Sequence, residues 1–378
     1  MADRLREGAP VYWNTQAQGW WMFSRFEAVR DIFRQPELFS SESITPWTPD
    51  PPGRFIPTMV DEPDHMKYRK LMNPWFTAER VKKAEENARQ ICRRLVEQAA
   101  PLGHMNFVKE FALRYPTEVF LSFVGMNVDD APKLLEWTEN FFNGYGGDPA
   151  MAQGMADALQ HMADYWVDAI EERRGESEPR EGDICSYLMH ADFGTERKLT
   201  EEEAVELLRL SIIGGLDTTR GELGYMFRHL ALNPDDRRRL REEPELIPSA
   251  VDETLRYYTI TFGDGRKVTR DAEFHGVQLK KGDMVWGLVA AANRDPEAFE
   301  RADEFLVDRQ GASRQMGFGL GPHRCLGAHL AKAEMRIAVE EWLRVIPDFW
   351  IDSDEVLMER GAGSMLAPME LPLRWSES

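Results

Sequence analysis

The sequence predicts a mainly α-helical fold with a small β-rich region, and three observations predict it. Helical patterns dominate from Ala78 to about Ile247, separated only by short turn-forming stretches. Another amphipathic helical pattern leaves a glycine-rich turn at 318–327 and runs to about Ile346. Strand-like runs are confined to 19–23, to 267–288 and to the tail from Leu366 to Trp375. The 378 residues are read as a single domain, 1–378.

In chain order, residues 1–24 read as loop and short strand, with Gly19–Phe23 the strand candidate. Ser24 is a reasonable N-cap for a short helix over Arg25–Arg34. Residues 40–60 carry Pro46, Pro49, Pro51, Pro52 and Pro57 and cannot be helix. A long irregular segment of this kind is either a binding loop or a surface loop, and Trp47, Phe55 and Ile56 argue that part of it faces something apolar. His65 and Arg69, four apart, share one face of a helix. Thr200 followed by three glutamates caps a long helix that contains Gly214-Gly215-Leu216-Asp217-Thr218-Thr219. Two adjacent interior glycines cost about 1 kcal/mol each against alanine, so a distorted turn or a packing notch is expected there. Glu253 and Arg256, three apart on the next helix, form a local pair. Strands follow at 267–268, 274–279 and 284–288, with tight turns at Gly276 and Lys281-Gly282-Asp283.

Bulk properties exclude several classes. A net charge of −19 disfavours nucleic-acid binding. No apolar run reaches the roughly 18–20 residues that span a bilayer, and the first residues form no apolar signal region. Three cysteines, Cys92, Cys185 and Cys325, are too few and too scattered for a disulfide framework and fit a reducing compartment.

Chemistry concentrates at Phe318-Gly319-Leu320-Gly321-Pro322-His323-Arg324-Cys325-Leu326-Gly327. A cysteine just before a helix meets unpaired N–H groups and the helix dipole, which favour a thiolate. Such a thiolate is a metal ligand or a nucleophile. The bland reading of one cysteine is a small buried apolar residue. No second cysteine lies two to four residues away, which argues against a zinc pair. No C-x-x-C-H motif is present to tether a haem covalently.

Phe-Gly-x-Gly-x-His-x-Cys-x-Gly resembles the haem-binding loop of the cytochrome P450 family, matching at Phe318, Gly319, Gly321, His323, Cys325 and Gly327. The resemblance implies non-covalent haem b with Cys325 as axial thiolate. It implies a grip on the haem by Gly327 and by His65, Arg69, Arg266 and His323, the last four at the propionates. Gly-Gly-x-Asp-Thr-Thr resembles the oxygen-activation motif of the family, which implies a groove for dioxygen, with Thr218 beside bound oxygen and Asp217 as proton relay. Glu253, Arg256 and Arg309 resemble its buried structural lock. The absence of an anchor implies a cytoplasmic, bacterial protein, expected to be a monomer and to bind neither membrane nor nucleic acid.

The resemblance is closest to the camphor hydroxylase branch, through Phe55-Ile56-Pro57-Thr58, Gly214–Thr218 and Glu273–Asp283. That branch places a tyrosine where this chain has Gly53, so an ionone-like terpenoid or norisoprenoid is expected in place of camphor. The pocket walls expected by position are Trp47, Gly53, Phe55, Thr58, Leu210, Ile213, Gly214, Phe262 and Met365. No flavin or iron–sulfur motif is present. The implied electron donor is a [2Fe-2S] ferredoxin served by an NADH-dependent reductase, docking on a local basic patch of Lys67, Arg69, Lys70 and Arg324. A camphor-type hydroxylase, a peroxygenase and a non-catalytic haem sensor are the rival readings. Asp217-Thr218 argues against the last two: peroxygenase members of the family replace this pair, and a sensor has no use for a proton relay.

Overall fold

The computed structural model of the chain describes residues 8–51, 54–144, 149–195, 197–352, 359–362 and 365–376. Its helices, in order, are α1 (Phe26–Arg34), α2 (Asp64–Met72), α3 (Ala78–Ala99), α4 (Arg114–Val124), α5 (Ala131–Asn143), α6 (Pro149–Arg173), α7 (Ile184–His190), α8 (Glu201–Leu232), α9 (Pro234–Glu242), α10 (Ile247–Tyr257), α11 (Val289–Ala292) and α12 (Ala328–Val345). Strands are short and few beside them, as expected. Among the described residues, no helix is long and apolar enough to cross a membrane. The residues group into two compact units.

The first unit takes in Met1–Arg69, Asp252–Cys325 and Gly363–Leu366. A five-stranded mixed sheet runs through it in the order Val11–Asn14, Trp20–Phe23, Met284–Gly287, Asp264–Val268, Phe39–Ser40. Trp20–Phe23 lies parallel to Met284–Gly287, and the other neighbours are antiparallel. The strand at 264–268 begins earlier than the expected 267, so Asp264-Gly265-Arg266 is a strand segment. Phe23, Val29, Ile32, Phe33 and Val285 pack α1 onto this sheet. Ser24 does not cap α1. Its hydroxyl donates to the carbonyl of Pro10 at 3.2 Å, and the first helical N–H, that of Phe26, donates to the Asp295 carboxylate at 2.9 Å. A tertiary carboxylate thus takes the place of the local cap.

The expected lock is present in this unit. Arg256 donates to both oxygens of Glu253, at 2.7 and 2.8 Å, and Arg309 Nε lies 2.9 Å from each. Neither Glu253 nor Arg256 exposes any side chain. Arg256 also donates to the carbonyls of Asn293, Ala302 and Glu304, which satisfies the donors that burial would otherwise strand.

The second unit takes in Lys70–Val251, Leu326–Ala362 and Ala367–Ser378. Its core is aromatic. Trp342 of α12 is fully buried and meets Phe107, Phe111 and Phe227 edge-on, with ring centroids 5.1 to 5.3 Å apart. Such pairs contribute about 0.5–1.5 kcal/mol each beyond their buried area. A π-helix over Phe107–Ala112 presents two of those rings. A three-stranded antiparallel sheet of Phe349–Ile351, Pro372–Trp375 and His104–Asn106 closes one side.

Thr200 caps α8 as expected: its hydroxyl accepts from Glu203 N at 3.2 Å, and the Glu203 carboxylate accepts from Thr200 N at 2.9 Å. The expected distortion at the glycine pair is not a break, since α8 is α-helical over all 32 residues. The two glycines differ in use. A Cβ on Gly215 would lie 3.0 Å from the Phe120 ring of α4, so this glycine is a packing notch. A Cβ on Gly214 would meet nothing within 4 Å.

Candidate active site

Residues 318–327 form a tight, hydrogen-bonded loop. Gly321 has φ +69°, and a Cβ there would sit 2.2 Å from the carbonyl oxygen of Phe33. Only glycine allows the loop to approach α1 so closely. Cys325 N donates to the carbonyl of Phe318 at 2.8 Å, which fixes the cysteine backbone across the turn. Helix α12 then starts at Ala328 with Gly327 as N-cap.

Cys325 is exposed, whereas Cys92 and Cys185 are buried. Burial pushes the Cys92 thiol far up and the Cys185 thiol to about 12. Those two therefore stay protonated thiols, small apolar residues in their helices. Of the three, Cys325 is the one whose surroundings suit a ligand.

Four basic side chains gather beside this loop. His65 stacks on His323 with ring centroids 3.9 Å apart. Arg69, four residues on from His65 along α2, donates to the carbonyl of Arg324 at 3.0 Å. Arg266 is 5% exposed and pairs with Asp264 at 2.7 Å. Burial, then the neighbouring His65, Arg266 and Arg69, drives His323 down to about 2. His65 is also lowered, first by burial, with Arg69 adding to the effect and Glu62 opposing it. Like charges held together in a partly dry place raise one another's cost, and a dianion set among them lowers it. The residues therefore fit haem: a thiol for the metal and four cationic or N–H groups for two carboxylates. Space fits as well, since a Cβ at Gly319 or Gly327 would meet nothing within 4 Å.

In the second unit, Thr218 of α8 donates its hydroxyl to the carbonyl of Gly214 at 2.7 Å. Asp217 is buried and ion-paired to Arg220 at 2.5 Å, with side chains 3% and 4% exposed. Thr219 points to α12, where its hydroxyl hydrogen-bonds the Glu334 carboxyl. Burial drives Glu334 well above the ordinary carboxylate range, against that hydrogen bond. Arg220 and Glu334 are polar residues that sequence reasoning missed. The three-residue spacing of Asp217 and Arg220 was a usable signal; nothing local marked Glu334.

The residues expected to wall a pocket fall into two groups. In the first unit, Trp47 and Phe262 both pack on Trp286, each with centroids 5.8 Å apart. Met365 bridges to Thr261, next to Phe262. Phe55 and Thr58 are half-buried in the turn around Ile56-Pro57. In the second unit, Leu210, Ile213 and Gly214 share one face of α8. Gly53 lies outside the described residues.

Residues 8–345 match the family model described as Cytochrome P450. The chain is 31% identical over 376 residues to the steroid C26-monooxygenase of Mycolicibacterium smegmatis, covering 99% of this chain and 92% of that protein. It is also 31% identical to the mycinamicin IV hydroxylase/epoxidase of Micromonospora griseorubida, covering 94% and 89%. Among solved structures, the crystal structure of CYP101J2 superposes with a TM-score of 0.87 at 29% identity, covering 99% of this chain and 92% of that one.

Proposed function

The chain belongs to the cytochrome P450 family and is a monooxygenase that binds haem b through a cysteine thiolate without a covalent tether; we propose that Cys325 supplies the thiolate and that the substrate is a small apolar terpenoid or norisoprenoid of ionone type. One observation carries the assignment of the cysteine. Cys325 is the exposed cysteine, and His65, Arg69, Arg266 and His323 gather on its loop.

Bound haem supplies the redox chemistry, and a thiolate ligand favours O–O cleavage. The chain does the rest. Arg69, Arg266, His65 and His323 hold the propionates, with Arg69 also bracing the loop through Arg324. Thr218 holds a proton at its hydroxyl on the open face of α8, with Asp217 delivering it from the next position. Trp47, Phe55, Thr58, Leu210, Ile213, Gly214, Phe262 and Met365 exclude water and orient an apolar ligand. Electrons come from a [2Fe-2S] ferredoxin, reduced in turn by an NADH-dependent flavoprotein.

Two considerations support the substrate class. Gly53 offers no side-chain donor to a buried ketone, and a buried acceptor left unpaired costs about 1–3 kcal/mol. Affinity then comes mainly from apolar area, at about 25 cal/mol per Å². The relatives named for a steroid and for mycinamicin IV agree with a roomy site. A spin-state titration tests this. Ionone-like compounds are expected to drive the haem high-spin more tightly than camphor and to yield hydroxylated product with a reconstituted donor chain. Tighter and more complete conversion by camphor would overturn the substrate class and leave the enzyme class standing.

A further inference from the structure

We propose that Arg220 is a positioning residue for oxygen activation: it braces the Asp217 carboxylate so that this group can serve Thr218. The inference rests on the relay reading above. Asp217 and Arg220 lie three apart on α8, their ion pair is 2.5 Å long, and both side chains are almost wholly buried. A buried carboxylate without a counter-charge is costly, and removing one partner of such a pair is strongly destabilising.

Direction matters as much as charge. Successive residues on an α-helix turn by about 100°, so Thr218 lies about 100° to one side of Asp217. Arg220 lies about 60° to the other side. Arg220 therefore reaches the Asp217 carboxylate from the side of the helix away from Thr218. The Thr218 hydroxyl is itself oriented, through its 2.7 Å bond to Gly214 on the face where Gly214 meets open space. Thr219, between them, is engaged elsewhere, on Glu334. The three consecutive polar residues after Leu216 thus meet three different groups, and the one that Asp217 meets is a buried guanidinium. In one turn of the relay the Thr218 hydroxyl hands on its own proton and receives one from the Asp217 carboxyl, which takes a proton from water in exchange, so both groups end as they began.

The test uses the haem-loaded enzyme and the variants Asp217→Asn, Arg220→Met, Arg220→Lys and the double variant Asp217→Asn/Arg220→Met. Each must first show the wild-type ferrous–carbon monoxide spectrum, which reports an intact haem site. Two readouts follow: product formed per NADH consumed, and the denaturant midpoint of unfolding. The expected result is that Arg220→Met lowers product per NADH by about tenfold or more, as Asp217→Asn does. The double variant is no worse than either single one, and Arg220→Lys restores most of the yield. In unfolding, Arg220→Met is less stable than wild type, and adding Asp217→Asn recovers stability, because the stranded charge is gone. Wild-type yield in Arg220→Met beside a loss in Asp217→Asn would overturn the role of Arg220 and keep the relay. Wild-type yield in Asp217→Asn would overturn the relay itself and the present proposal with it.

Discussion

At the scale of single residues, position in the sequence and role in the structure agree best where a motif is contiguous. Gly321, His323 and Cys325 could be read together because one turn holds them. Glu253 and Arg256 show what spacing leaves out. As a helical pair three apart they would contribute about 0.2–0.5 kcal/mol if exposed. The structure buries both completely and adds Arg309, 56 residues on from Glu253, which the family resemblance implied and no local spacing reveals. Gly321 carries the residue-scale prediction. Gly321→Ala forces a side chain into a left-handed backbone and against the carbonyl oxygen of Phe33. The strain alone is about 1–2 kcal/mol, before the overlap is counted. The urea midpoint is expected to fall and haem retention with it; an unchanged midpoint would mean that the loop is free to move off α1.

At the scale of elements, caps and pairs between distant helices were the least legible features. The cap of α1 comes from Asp295, 269 residues away, so Ser24 gave a plausible but wrong local answer. The long helix α8 was legible at its start, where Thr200 and Glu203 make a local capping box, and half legible at its middle, where the packing-notch reading holds at Gly215 against Phe120 and the helix runs on unbroken. Helices α3 and α12 are clamped by Glu341, which accepts from Arg89 at 2.7 Å, Arg93 at 3.1 Å and Arg344 at 3.0 Å. Burial alone would push this carboxyl up; the three arginines override it and hold it at about 2, against an ordinary 4.5. A depressed carboxylate stabilises the fold above the unfolded-state value and loses that contribution as pH falls toward the folded one. The clamp is therefore fully formed above about pH 4.5 and fades toward about pH 2, a contribution on the order of 3 kcal/mol. Glu341→Gln is expected to lower stability at neutral pH and to flatten its dependence between pH 4.5 and 2. Parallel stability–pH curves for variant and wild type would contradict the clamp.

At the scale of the whole molecule, the fold class was legible because helical periodicity dominates the chain and strand patterns are confined to three short regions. The candidate site could be named from the sequence because its residues resemble motifs of a family to which the chain belongs. The exceptions are Arg220 and Glu334, buried polar residues of α8 and α12 that belong to none of those motifs. Charge at this scale bears on the electron donor. The chain carries a net charge of −19, yet Lys67 and Arg324 flank the point where Arg69 bonds the cysteine loop, with Lys70 exposed on the same helix as Lys67. Lys67 is offset by Asp64 at 2.9 Å, so the patch is smaller than the sequence suggested. If an acidic ferredoxin docks there, its reduction rate falls with ionic strength, because steering between surface charges is screened; a rate indifferent to salt would remove that docking site. The central claim, that Cys325 is the axial ligand of haem b, has a more direct measurement: the ferrous–carbon monoxide spectrum of Cys325→Ala. Wild type is expected to show the red-shifted Soret band of thiolate-ligated haem and Cys325→Ala to have lost it, while Cys92→Ala and Cys185→Ala keep it. A Cys325→Ala protein that retains the red-shifted band would overturn the ligand assignment.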